Sequence, residues 1–123
     1  MRSAALLCVA VAHATILIAN VPAVARYGAV AYDQNKRKQG AAWNEDTQQR
    51  ANEAALRTCA SDSCKVRFGV PPGRCAAFAT PENGPAWGGA VRTTVDDAKF
   101  AALKNCQKHA KNKCAMRESG CTK

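Results

Sequence analysis

The chain has 123 residues, seven cysteines and a formal net charge of +9, with 18 lysines and arginines against 9 acidic residues. This length leaves room for one small domain, and a domain near 100 residues buries only roughly 60–70% of its chain surface. Because alanine is the commonest apolar residue, the core must also be thin. These features exclude a fold that is stabilised by a large hydrophobic interior alone.

The first 25 residues predict a cleavable signal peptide. A short basic start is followed by an apolar run over residues 4–18 and by a small-x-small cleavage site at residues 23–25. The apolar run is shorter than the about 20 residues that a membrane-spanning helix needs, so an uncleaved anchor is the weaker alternative. We therefore expect cleavage after Ala25 and a single exported domain, residues 26–123, in the periplasm or outside the cell.

Hydrophobic periodicity and turn residues predict several strands and two helices in this domain. Strands are expected at 27–32, 40–44, 65–70, 75–79 and 89–93, helices over 51–59 and 98–106, and a last strand after the second helix. A polar loop, residues 33–39, separates the first two strands. The Pro71-Pro72-Gly73 turn is expected to join its two flanking strands in a hairpin. The order predicts an α+β domain with two helices packed on a mostly antiparallel sheet.

Capping-box-like pairs mark the starts of the two helices, Asp46 with Gln49 and Thr94 with Asp97. In the second helix the small and apolar residues share one face: Ala98, Ala102, Leu103, Cys106 and Ala110. Three lysines gather on the opposite face: Lys104, Lys108 and Lys111. We therefore expect this helix to lie close against the sheet with its basic side outward.

An internal repeat is the most specific feature of the sequence. Residues 51–59 align without a gap on residues 98–106, and both segments read A-x-x-A-A-L-[RK]-x-C. A tryptophan precedes each segment, Trp43 or Trp87, and two further cysteines follow each one. We expect corresponding structure in the two halves, with the tryptophans in equivalent places.

Six cysteines remain once the signal peptide, with Cys8 and one positive charge, is removed, and the net charge becomes +8. An even number in a short exported chain predicts disulfides, for which six cysteines allow 15 pairings. Zinc is the alternative use, but no C-x-x-C pair occurs and His109 is the one histidine after residue 25. We expect neither a metal nor a cofactor. The repeat predicts Cys59–Cys64 and Cys106–Cys114 within the halves and Cys75–Cys121 between them.

A set of short motifs in this order resembles one bacterial family. The motifs are Tyr27-Gly28-Ala29-Val30-Ala31, the Ala51 to Cys59 segment, Cys64-Lys65-Val66, Arg74-Cys75-Ala76 and Gly88-Gly89. The sequence is similar in this way to the domain-of-unknown-function family numbered 4189, which consists of small exported domains. The resemblance implies export and a compact cysteine-bonded α+β fold, and some members are thought to be secreted effectors. The family has no established reaction, so the resemblance assigns no site.

Side chains that could carry out catalysis are scarce. His109 lies among lysines, which is typical of a solvated helix end, and Asp96 and Asp97 fit the first turn of a helix, where negative charge favours the helix dipole. Oxidised cysteines are not nucleophiles, and Gly88-Gly89 lacks the lysine and spacing of a phosphate-binding loop. We therefore expect a protein that is not an enzyme, with an uncharacterised enzyme as a remaining alternative.

Lysines and tryptophans are the candidate binding residues: Lys104, Lys108, Lys111, Lys113, Trp43 and Trp87. A basic surface attracts polyanions, although most lysine clusters are solvated helix faces. The tryptophans either fill the layer between helix and sheet or stack on a ligand such as a sugar. We expect an interaction protein, such as an effector or inhibitor, that binds an unknown protein. The alternative is an envelope-associated binder of anionic lipid or polymer, with no nucleic acid as partner.

Overall fold

The computed structural model describes residues 14–16 and 24–123. Its elements in chain order are β1 (Tyr27–Asp33), β2 (Lys38–Glu45), α1 (Gln48–Cys59), β3 (Lys65–Val70), β4 (Cys75–Pro81), β5 (Gly88–Arg92), α2 (Val95–His109) and β6 (Cys114–Cys121). Each strand and helix expected from the sequence is present, and the α+β class is confirmed. Most of the predicted signal peptide lies outside the described residues. Within the described part of the chain, no helix is long and apolar enough to cross a membrane.

Two three-stranded antiparallel sheets replace the single sheet that we expected. β1 is the central strand of the first sheet, in the order β2-β1-β3, and β4 is the central strand of the second, in the order β5-β4-β6. Each sheet carries one helix, and each unit runs strand, strand, helix, strand. The repeat in the sequence therefore corresponds to two copies of one ββαβ unit.

The hairpin predicted at Pro71-Pro72-Gly73 is wrong. The strand before this turn, β3, pairs with β1, and the strand after it, β4, pairs with β5 and β6. The turn is therefore a linker between the two units. In each unit the strand after the helix pairs with the central strand of its own sheet. Because β5 and β6 occupy the two edges of β4, β3 cannot pair with β4.

Small residues let each helix lie directly on its sheet. The inward faces consist of Ala51, Ala55 and Cys59 on α1 and of Ala98, Ala102 and Cys106 on α2, and all six are buried. Two glycines mark the points of closest approach, because a methyl group on Gly40 or Gly88 would overlap the backbone of α1 or α2. The expectation of close packing, which concerned the second helix, is confirmed, and α1 packs on its sheet in the same way.

The two sheets pack against each other through the faces that carry no helix. Val30 and Tyr32 of β1 meet Phe78 of β4, and the Tyr32 and Phe78 rings lie edge to face with their centroids 5.0 Å apart. Phe68 of β3 packs against Gly89 of β5 in the same layer. The molecule is therefore a stack of helix, sheet, sheet and helix, in which α1 and α2 form the two outer layers.

Threonines cap the start of both helices. The Thr94 hydroxyl accepts the backbone N–H of Asp97 at 3.2 Å, as the sequence predicts for α2. For α1 the prediction of Asp46 is wrong by one residue, because the Thr47 hydroxyl accepts the Arg50 N–H at 3.1 Å. A threonine in each cap follows from the same requirement, since the first N–H groups of a helix have no partner within it.

The three disulfides link Cys59 to Cys64, Cys75 to Cys121 and Cys106 to Cys114, which is the pairing that the repeat predicts. The expectation that Cys75–Cys121 joins the two halves is wrong. Cys75 begins β4, Cys121 ends the neighbouring strand β6, and the two residues are directly opposite in the ladder. The bond therefore lies within the second unit, because the boundary between units falls before Cys75.

Candidate binding surface

A stripe of side chains along the outward face of α2 combines one large apolar residue with two lysines. Phe100, Lys104 and Lys108 follow one another at intervals of four residues, so they lie on one side of the helix. Phe100 is 71% exposed, although the opposite side of the helix is buried against the sheet. We call these three residues the α2 ridge.

An open groove of about 720 Å³ runs beside the ridge. Its lining combines apolar, amide and ammonium groups: Phe100, Leu103, Lys104, Gln107, Lys108, Lys113 and Cys114. We call this set the α2 groove. Three of the four predicted lysines therefore meet at one place, together with two apolar side chains.

The loop after α2 brings Lys113 to the groove, and two interactions hold that loop. The Gln107 side chain donates to the Asn112 carbonyl at 3.0 Å and accepts the Cys114 N–H at 3.2 Å. The Cys106–Cys114 disulfide joins the last turn of α2 to the first residue of β6, so it also closes this loop. Lys113 is therefore presented by a constrained loop.

The lysines of the α2 groove have no acidic partner among the residues that the structure describes. Within the described residues, the ion pairs join Arg26 and Arg50 to Asp46, beside the start of α1. Lys104 and Lys108 are one turn apart, and like charges at this spacing destabilise a helix by about 0.2–0.5 kcal/mol. An anion bound between these ammonium groups would relieve that repulsion.

A second cavity, of about 420 Å³, lies on the other side of the ridge. It shares Phe100, Lys104 and Lys108 with the α2 groove and adds Arg92 and Asp97 to its lining. The ridge therefore stands between two depressions. Its surroundings are mostly basic, with Asp97 as an acidic residue on one flank.

Lys111, another predicted binding residue, does not join this site. It lines a separate cavity of about 360 Å³ with residues 83–86 of the β4–β5 loop and with His109. Lys111 precedes Lys113 by two residues on a loop that turns away from the helix axis. The helical pattern assigned Lys111 to the lysine face, but α2 ends at His109, so that periodicity no longer applies to it.

The two tryptophans are not in equivalent places, contrary to expectation. Gly40 pairs with Ala31 and Gly88 with Ala79 at matching positions of the two units, so Trp43 corresponds to Val91 and Trp87 to Gln39. Neither ring fills a helix–sheet layer. A Cβ on Gly120 of the second sheet would lie 2.7 Å from the Trp43 ring, which places this ring between the sheets.

Trp87 also belongs to the layer between the sheets, and it borders a cleft at the end of that layer. The centroids of the Trp87 and Phe78 rings are 5.8 Å apart, and the Arg67 guanidinium lies 5.7 Å from the Trp87 ring centroid. The cleft, about 420 Å³, is lined by Trp87, His109, Gln34 and Asn105 among others. Both amides already donate to backbone carbonyls, Gln34 to Pro85 and Asn105 to Gly89. The structure therefore does not bring the tryptophans together with the lysines.

Phe100 and Gln107 line the groove although the sequence does not predict them as site residues, and Leu103, expected on the inward face of α2, is half-buried and also lines the groove. The pattern contained a signal for Phe100, because it lies two residues after Ala98 and four before Lys104, on the lysine side of the helix. An aromatic residue on the polar side of an amphipathic helix leaves an apolar group exposed beside the charged ones.

The equivalent surface of the first unit has a different character. By the alignment of the repeat, Phe100 corresponds to Glu53, Leu103 to Leu56 and Lys104 to Arg57. The inward alanines and the cysteine are the same in both helices. The two helices therefore share their packing residues, and the exposed aromatic ring is present on α2 alone of the two.

The model of the family described as Domain of unknown function (DUF4189) matches residues 27–121 of the chain. The match spans all six strands and both helices. No curated protein matches the chain, and no solved structure does.

Proposed function

The chain belongs to the DUF4189 family, and we propose that it is an exported, non-enzymatic binding protein whose α2 groove holds a partner that is both acidic and apolar. The observation that carries this proposal is the meeting of Lys104, Lys108 and Lys113 with Phe100 and Leu103 around one groove. Ammonium groups attract an acidic group, and the exposed ring favours an apolar one beside it.

Export is supported by the predicted signal peptide together with the three disulfides. All six cysteines of residues 26–123 are paired. Disulfides of this kind form in oxidising compartments such as the bacterial periplasm or the cell exterior, and they are rare in the cytosol. Disulfide cross-links also suit a small domain with an alanine-rich core, since little apolar surface is available to stabilise its fold.

A binding role is favoured over catalysis by the surroundings of His109, the strongest catalytic candidate in the sequence. This side chain is exposed at the end of α2, where it borders the Trp87 cleft. Its neighbours in that cleft are an indole ring, two side-chain amides, an alanine and two glycines, so the lining contains neither a hydroxyl nucleophile for His109 to activate nor a carboxylate to orient its ring. A nucleophile, a base and a group that orients the base are the recurring arrangement of nucleophilic catalysis.

Energetics support the α2 groove as the binding site. Burying a phenylalanine side chain is worth about 1.5–3 kcal/mol, so Phe100, which is 71% exposed, leaves most of that amount unused in the free protein. A partner that covers the ring gains this energy, and an acidic group on the same partner relieves the repulsion between Lys104 and Lys108.

The test uses decyl phosphate, kept monomeric, as a probe that carries an acidic head and an apolar tail. Backbone amide chemical shifts of the oxidised protein would be followed by NMR during the titration. We expect saturable shifts along α2 and at residues 113–114. Inorganic phosphate and a neutral decyl glycoside are the matched probes, each lacking one half of the chemistry, and each should bind at least about tenfold more weakly, because one of the two contributions is lost.

A pair of double variants separates the site from the overall charge. Lys104→Glu with Lys108→Glu should abolish the decyl phosphate shifts. Arg57→Glu with Lys65→Glu changes the net charge equally at exposed positions of the first unit and should leave binding unchanged. Equal effects of the two variants, or shifts centred away from α2, would contradict the proposal.

A further inference from the structure

We infer that the natural partner of the α2 groove is the surface of an anionic phospholipid membrane, on which the protein binds peripherally with α2 parallel to the membrane plane. This inference rests on the proposed function, because it names the partner of the same site. It is argued from the shape of the ridge, its place in the fold and the charges around it.

The surface of the site is convex at Phe100, its most exposed apolar residue. Phe100, Lys104 and Lys108 line the depressions on both sides, so they form a crest rather than the wall of an enclosed pocket. A small ligand is usually held in a pocket that covers 70–90% of its surface. A fluid bilayer, in contrast, accepts a protruding ring without a matching cavity.

The place of α2 in the fold makes the α2 ridge accessible to a flat surface. α2 packs through its inward side on β4, β5 and β6, and it forms one outer layer of the four-layer stack. Helices that lie in the membrane interface present an apolar stripe with basic residues beside it, and they penetrate only as far as the headgroup boundary. The α2 ridge has this arrangement on a helix that is already anchored to a sheet.

Charge around Phe100 complements an anionic surface. Arg92, Lys104, Lys108 and Lys113 surround the ring, against the one carboxylate of Asp97 in the two depressions. Long lysine side chains can reach headgroups while the ring enters the interface. A basic residue near an anionic membrane adds about fivefold to binding, so the three lysines of the groove favour anionic over neutral vesicles by roughly a hundredfold.

A folded protein partner fits the site less well than a membrane does. Stable protein interfaces bury about 800 Å² on each partner around a packed apolar centre. The α2 surface offers one protruding phenylalanine and the half-buried Leu103 as apolar groups. One ring among basic side chains is enough for reversible adsorption to lipid, for which the other contribution is the electrostatic attraction.

The experiment measures binding of the oxidised protein to vesicles by co-sedimentation. Vesicles of phosphatidylglycerol mixed with phosphatidylcholine are compared with phosphatidylcholine alone, at low and at high salt. We expect binding to the anionic vesicles only, and its loss at high salt. Phe100→Ala should weaken it about tenfold, and Lys104→Glu with Lys108→Glu by at least about tenfold. The Arg57→Glu with Lys65→Glu control should bind as well as the wild type.

A second variant reports insertion directly. Phe100→Trp adds a fluorophore on the α2 ridge to the native Trp43 and Trp87, and its emission, taken as the difference from the wild type, should shift to shorter wavelength with anionic vesicles and be quenched by brominated acyl chains. No quenching, or equal binding to neutral vesicles, would overturn the inference. Decyl phosphate binding at α2 without vesicle binding would refute the membrane as partner while the proposed function stands. If the wild-type protein binds neither decyl phosphate nor vesicles, the proposed function is refuted as well.

Discussion

Asp33 shows at the residue scale how a buried charge can organise two loops. The side chain is 1% exposed, and one carboxylate oxygen accepts the N–H groups of Asn35 and Lys36 at 2.9 and 3.1 Å. The other oxygen accepts the hydroxyl of Ser61, in the loop after α1. Asp33 thereby closes the β1–β2 turn and ties it to the end of the first helix.

These hydrogen bonds lower the pKa of Asp33 below its ordinary value of 3.8. The Ser61 hydroxyl has the largest effect, burial opposes it, and the two backbone N–H groups and the charge of Lys36 add to it. A carboxyl with a lowered folded-state pKa stabilises the fold above its unfolded-state pKa, and this stabilisation is lost as the pH falls through the folded-state value.

We therefore predict that the free energy of unfolding of the wild type falls as the pH drops below about 3.8. Asp33→Asn should be less stable than the wild type at pH 7 and should lose less stability on acidification. Urea unfolding over a pH series measures both effects. Ser61→Ala is the matched control, since it removes the largest cause of the shift while the carboxylate remains. Parallel pH profiles for wild type and Asp33→Asn would contradict the prediction.

Glu118 has the opposite sign and must be separated from Asp33 in that experiment. It lies opposite Phe78 in the second sheet, and burial raises its pKa. A raised carboxyl pKa costs stability as the pH rises from the unfolded-state to the folded-state value. The acid-side loss attributed to Asp33 is therefore best measured in a Glu118→Gln background.

The sequence indicated less about Asp33 than about most of the chain. The pattern assigned it to a polar loop, residues 33–39, whereas β1 continues through it. Its burial depends on Ser61, which is 28 residues away in the chain and is brought close by the packing of α1 on β1 and β2. Local polarity could not show that this acid is covered.

At the element scale, the contact between each helix and the second strand of its unit depends on the absence of a side chain. A methyl group on Gly88 would overlap the backbone nitrogen of Cys106 and the carbonyl oxygen of Ala102. Backbone atoms inside a helix cannot move aside without breaking its hydrogen bonds. Gly40 has the same relation to Cys59 and Ala55 of α1.

We predict that Gly88→Ala destabilises the protein by about 3 kcal/mol or more, because overpacking against a rigid neighbour displaces the whole helix. Chemical denaturation of the oxidised protein measures this loss. The variant should also shift the amide resonances of α2 and weaken binding at the groove, since the helix carries the ridge.

Gly69→Ala is the matched control for a methyl group added to a strand. The added Cβ would meet the side chain of Gln48, which can rotate away, rather than backbone. Its stability should stay within about 1.5 kcal/mol of the wild type, because Gln48 gives up two hydrogen bonds of its half-buried amide, to the Gly28 carbonyl and to the Asn52 side chain, while alanine favours the strand. Equal losses in Gly69→Ala and Gly88→Ala would show that helix contact is not the cause.

At the scale of the whole molecule, the disulfides differ in how much of the chain they constrain. Cys59–Cys64 and Cys106–Cys114 close loops with separations of 5 and 8 residues, whereas Cys75–Cys121 has a separation of 46. Cross-links stabilise mainly by restricting the unfolded chain, and the effect grows with loop length. The long-range bond encloses nearly the whole second unit.

We predict that Cys75→Ala with Cys121→Ala costs about 4 kcal/mol of unfolding free energy, against about 2 kcal/mol for Cys59→Ala with Cys64→Ala. Thermal and chemical unfolding of the two double variants measures the difference. The two variants remove the same number of sulfur atoms, so they control for each other. A larger loss from the short loop than from the long one would contradict the prediction.

The two units are also joined by contacts that no disulfide provides. Arg37 of the β1–β2 turn donates to the carbonyls of Pro81 and Glu82, and the Thr122 hydroxyl donates to the Pro71 carbonyl at 2.6 Å. The sheets share the aromatic layer of Tyr32 and Phe78. The junction therefore depends on packing and hydrogen bonds.

The sequence by itself determined the local structure and the chemistry of the surface. Strand and helix positions, the cap at Thr94, the internal repeat and the cysteine pairs followed from periodicity, capping and symmetry. The basic face of α2 was also visible, because Lys104 and Lys108 recur at the helical interval. These features depend on residues close in the chain or on a repeat within it.

Only the tertiary structure decided which layers meet. A period of two or 3.6 shows which residues share a face but not whether a helix or another sheet covers that face. For this reason the sequence predicts a hairpin at the β3–β4 turn and a Cys75–Cys121 bond between halves, and it leaves open whether the tryptophans fill the helix–sheet layer or stack on a ligand. The α2 groove arises in the same way, since Lys113 joins Phe100 through a loop constrained by Gln107 and a disulfide.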